Sequence, residues 1–72
     1  MKYQIVKALH QKYLGVIAEA EANVEIYLTN PAGIGEHPDV LDAIHTQLRK
    51  IAEAEHHIEV LENRFNDCNS ID

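Results

Sequence analysis

Both prolines and two of the three glycines of the chain fall within the eleven residues Thr29-Asn30-Pro31-Ala32-Gly33-Ile34-Gly35-Glu36-His37-Pro38-Asp39. A proline disfavours helical geometry in the residue before it and donates no hydrogen bond to the preceding turn, so Asn30-Pro31 ends any helix that arrives there. Gly33 and Gly35 flank Ile34, so two positions can take positive backbone angles while one apolar side chain plugs the turned end. Pro38 suits the first turn of a following helix, and Asp39 and Asp42 place negative charge where its dipole favours it. The cap itself falls to either His37 or Asp39. Long runs with helical period lie on both sides, which makes this segment the bend of a hairpin.

Before the bend, Val6, Leu9, Tyr13, Val16, Ala20, Val24 and Tyr27 alternate steps of three and four, the stripe of an amphipathic helix. After it, Val40, Ile44, Leu48, Ile51, Ala54, Ile58, Leu61 and Phe65 do the same. The predicted fold is all-α: a helix over about 3–29, a bend over 30–37, a helix over about 38–65 and a fraying polar tail over 66–72. An antiparallel hairpin should bring together residues whose numbers add to about 67. Val6 then meets Leu61, Leu9 meets Ile58, Tyr13 meets Ala54, Ala20 meets Leu48 and Val24 meets Ile44. In this register Lys2, Lys7 and Lys12 lie beside Glu55, Glu59 and Glu62, and Arg49 and Lys50 approach Glu19 and Glu21. Gly15 either permits a close helix crossing or sits on an open surface.

A second apolar set exceeds what one partner helix can cover: Ile5, Leu14, Ile17, Ile26 and Leu28 before the bend, Leu41, Ala43, Ala52 and Val60 after it. A chain of 72 residues buries only a thin core by itself. Pairing of hairpins, most simply into a dimeric four-helix bundle or else a larger helical assembly, is therefore expected. Val6, Leu9, Tyr13, Val16, Val24, Ile44, Leu48, Ile51, Ile58 and Leu61 are the candidate core and oligomer residues. Ile17-Ala18-Glu19-Ala20-Glu21 returns as Ile51-Ala52-Glu53-Ala54-Glu55 at a spacing of 34, but the aromatic and small-residue pattern of a tetratricopeptide repeat is missing.

The net charge of −6 opposes nonspecific binding to nucleic acid. No basic face with interleaved aromatic residues accompanies the three N-terminal lysines. The start of the chain shows no apolar leader and no run long enough to span a bilayer, and the single cysteine, Cys68, has no partner within the chain. An intracellular, cytoplasmic protein with no membrane association is expected. The glycines of the bend do not form a phosphate loop: no lysine follows them, and Glu36, Asp39 and Asp42 would repel the anion.

Five histidines raise the question of a metal. His45 and His56 lie about 16 Å apart along one helix and cannot share an ion. Glu53 and His57 could form half of a site, completed by His10 or by another subunit. Only one Glu-x-x-His spacing exists, Glu53 to His56, where di-iron carboxylate bundles need two. No metal, cofactor or catalytic residue is assigned, because the carboxylates read as solvated helix faces and no base is positioned by Cys68 or Ser70. The expected function is non-enzymatic: an oligomeric interaction protein that grips a protein partner through the bend, with Ile34, Glu36 and His37 as candidate contacts. The alternative is an oligomer that holds a small ligand such as a cyclic nucleotide between subunits. Tyr3, Tyr13 or Tyr27 would then supply aromatic faces, and Arg49, Lys50 or Arg64 the cations.

The segment from Asn30 to Asp39, with Ala22-Asn23-Val24-Glu25-Ile26-Tyr27-Leu28 before it and Ile51-Ala52-Glu53-Ala54-Glu55 after it, resembles small helical-hairpin proteins of tailed bacteriophages. The resemblance spans roughly Ala18 to Leu61. It implies a setting, the infected bacterial cytoplasm or the virion, and a partner from host or virion. It carries no catalytic residue across.

Overall fold

A computed structural model describes residues 2–30 and 39–65. These residues form two α-helices, α1 over Lys2–Thr29 and α2 over Val40–Arg64, packed along each other as a rod 48 Å long and 15 Å across. A helix of 28 residues is itself about 42 Å long at 1.5 Å per residue, so α1 sets the length of the molecule.

Each helix end follows from its local chemistry. The Asn30 N–H donates to the Ile26 carbonyl at 2.8 Å, and the Thr29 hydroxyl donates back to the Glu25 carbonyl at 2.9 Å, so two carbonyls of the last turns of α1 are satisfied before Pro31. At α2 the choice between two caps falls to Asp39, whose carboxylate accepts from the Asp42 N–H at 3.2 Å. The helix therefore starts at Val40, two residues later than the predicted 38. Asp42 in its first turn and Arg64 in its last oppose the helix dipole in the favourable sense. Phe65 closes the far end with its N–H on the Leu61 carbonyl at 2.9 Å.

The core is thin. Among the described residues only Val6, Ala20 and Ala54 are buried apolar side chains, Gln47 is the one buried polar side chain, and no large side chain is fully enclosed. Leu9, Tyr13, Val16, Val24, Ile44, Ile51, Ile58 and Leu61 are half-buried. A β-carbon built on Gly15 meets nothing within 4 Å, so this glycine lies on an open surface and does not serve a close crossing.

The predicted pairs Tyr13 with Ala54 and Val6 with Leu61 each line one concavity, and further contacts across the seam lie about one turn away. Tyr13 stacks on His57, with ring centroids 4.9 Å apart, and Asn23 donates from Nδ2 to Oε1 of Gln47 at 3.1 Å. Both pairs add to 70, about one helical turn from the predicted 67. Leu48, expected in the core opposite Ala20, is 51% exposed, and its place toward α1 is taken by Gln47 at 6%. The reason lies in the period of the helix. From Ile44 to Ile51 a three-four pattern can step through 47 or 48. Hydropathy favours Leu48, but Asn23 across the seam satisfies the amide of Gln47.

Candidate functional site

The contacts between the helices give the hairpin two unlike long faces. Residues three, four and seven apart share a side of a helix, so each interhelical contact fixes which flank of α1 adjoins which flank of α2.

One face carries the Tyr13–His57 stack. Around it Tyr13, Val16, Lys50, Glu53, Ala54 and His57 enclose a shallow hollow of about 130 Å³. This volume is well below the roughly 300–1,000 Å³ of ordinary small-molecule sites, so a single hairpin does not hold a nucleotide here. Of the aromatic and cationic residues considered for such a ligand, this hollow brings together Tyr13 and Lys50. Toward the open end of the hairpin lies a larger groove of about 500 Å³, lined by Lys2, Ile5, Val6, Leu9, Leu61 and Phe65. Its lining is apolar apart from Lys2, with no carboxylate or histidine that could move a proton.

The other face is marked by His10 Nε2 and Glu62 Oε2, 3.9 Å apart. Seven-residue steps from Glu62 lead to Glu55, Leu48 and Leu41, and steps of four, seven and eighteen from His10 lead to Leu14, Ile17 and Leu28. Leu14, Leu28, Leu41 and Leu48 are all among the large apolar side chains left exposed, Leu41 at 80%. His10–Glu62 is also the one base-to-carboxylate contact within 4 Å among the described residues. The lysine–glutamate pairs predicted between the helices, and those of Arg49 and Lys50 with Glu19 and Glu21, are therefore not in contact within the hairpin.

The metal half-site suggested by Glu53, His57 and His10 is not assembled: His57 lies on Tyr13, His10 turns to Glu62, and no group of three ligating side chains comes together among the described residues. One carboxyl is perturbed. A hydrogen bond that the protonated Asp42 carboxyl donates to the Asp39 carboxylate, and then the charge of that carboxylate, hold Asp42 above its ordinary pKa of 3.8; slight desolvation adds to this and His45 opposes it. Asp42 is fully solvent-exposed at the helix start, and the shift belongs to the cap.

Ile34, Glu36 and His37 lie outside the described residues, as does Cys68. Sequence reasoning missed Gln47 and Asn23, although two amides on facing stripes are a legible signal once the register is allowed to slide. No described helix is long and apolar enough to cross a membrane. Comparison with protein-family models, with curated proteins and with solved structures gives no match for this chain.

Proposed function

We propose that the protein is a non-catalytic helical interaction module that works as an oligomer of hairpins, most simply a dimeric four-helix bundle, and presents a surface or its bend to a protein partner. The observation that carries this reading is the mismatch between core and surface. Three buried apolar side chains stand against seven large ones left exposed among the described residues, Ile5, Leu14, Ile26, Leu28, Leu41, Leu48 and Phe65. Exposed apolar area on this scale marks an interaction surface in a folded protein. The contents of the two concavities support a binding role over a chemical one, since the larger is apolar and the smaller is too shallow to desolvate a reacting group. The setting implied by the phage resemblance would make the partner a host or virion protein.

The test is a native mass spectrum followed by affinity capture from a bacterial lysate under mild conditions. The reading requires an integral multiple of the 8.2 kDa chain and a captured protein lost on combined change of Ile34, Glu36 and His37 to alanine. A folded single chain refutes the oligomer, and a captured protein indifferent to those changes refutes the bend as the grip. A ligand held between subunits would add a mass to the multiple and raise the melting temperature.

A further inference from the structure

We infer that the face marked by His10 and Glu62 is where a second copy of this chain docks, with both bends at the same end of the rod and α1 of each hairpin lying against α2 of the other. This rests on the oligomeric reading above and specifies its interface.

The face is divided along its length. Its bend-proximal half carries the leucines, with Leu28 and Leu41 at the tip and Leu48 further along, and Glu21 among them. Its open-end half is charged, with Lys7 and His10 on α1 and Glu59 and Glu62 on α2, all but half-buried His10 exposed. Within the hairpin, residues at one level add to about 70. A two-fold axis along the rod preserves that rule between copies. Leu28 then stands level with Leu41 of the second copy, Ile17 with its Ile51, Lys7 with its Glu62 and His10 with its Glu59. Apolar meets apolar at the tips and base meets acid at the open end. Reversing one hairpin sets the leucine tips against the charged end of the other copy, which strands apolar surface and desolvates charge.

The half-buried residues argue for a second copy as the occupant. Ile17, Ile44 and Ile51, beside this face, are only half-buried within the hairpin. What completes them must be present whenever the chain folds, and a second copy always is. Four helices around one axis close these isoleucines from both sides. Glu21 and Glu55 also fall on this face, so the dock is weakened at two levels and left to the leucines and the end charges.

The test uses the full chain with Cys68→Ser and Thr29→Cys, spin-labelled at the end of α1. Same-end docking gives a label-to-label distance below about 25 Å, from interhelical spacings of 8–10 Å and the label arms. Opposite-end docking gives about 40 Å, close to the length of α1, and overturns the arrangement. Absence of a dipolar signal from a chain that sediments as a monomer overturns the docking itself. Leu41→Glu with Leu48→Glu, at sites exposed in the hairpin, should weaken association at least about 100-fold by burying unpaired charge; an unchanged multiple refutes this face. Lys7→Glu and Glu62→Lys should each weaken association and together restore it, and failure of the restoration refutes the end-charge pairing. A monomeric result here with a partner still captured through the bend removes the dock and leaves the interaction reading standing.

Discussion

Asn23→Ala should be among the most damaging single changes in the hairpin that remove few atoms. Gln47 is 6% exposed, and its Oε1 is matched by Asn23 Nδ2 at 3.1 Å, with no buried polar atom left unsatisfied among the described residues. Truncating Asn23 leaves the Gln47 carbonyl oxygen desolvated and alone, a cost of about 1–3 kcal/mol. In a chain of this size that lowers the melting temperature by on the order of 10 °C, at roughly 4–8 °C per kcal/mol. Gln47→Leu should cost less, because the amide it abandons on Asn23 is only half-buried and can turn to water. Replacing both residues by leucine removes both polar groups and should be near neutral or stabilising. The assay is a urea double-mutant cycle at one fixed chain concentration, since self-association makes stability depend on concentration. A cost below about 0.5 kcal/mol for Asn23→Ala, or a double variant worse than both singles, would refute the claim that this pair holds the register.

Gly15→Ala should stabilise the chain by about 1 kcal/mol, read by chemical denaturation, because the new methyl enters open space on a helix surface. Ala20→Leu and Ala54→Leu should each destabilise by about 1–3 kcal/mol, since these side chains are 1% and 2% exposed in the seam; unchanged unfolding midpoints would contradict it. Folded Asp42 keeps its proton to higher pH than the 3.8 of the unfolded chain, so its contribution to stability falls as pH rises from about 3.8 through the raised folded value. Asp39→Asn removes that carboxylate but keeps a capping oxygen, and should flatten this decline in urea midpoints between pH 3.5 and 7 relative to the parent. Asp39→Ala loses the cap as well and should cost about 1 kcal/mol.

Much of this protein was written in its sequence. The three-four stripes on either side of the proline- and glycine-rich segment could satisfy their backbones only as helices, so the two helices and their limits were legible to within two residues. Those are local facts, set by dihedral sterics and by period. The register and the functional faces were not local. Stepping from Ile44 to Ile51 through Leu48 or through Gln47 is equally periodic, and hydropathy alone favours the leucine. The tertiary structure favours the amide, because Asn23 on the other helix removes the penalty of burying it. That one-residue choice turns Leu48 outward into line with Leu41, beside Leu14 and Leu28, and creates the exposed face on which the docking inference rests. A single strand of sequence could show that apolar residues were in excess; only the packing of one helix against the other decided which of them were left without cover.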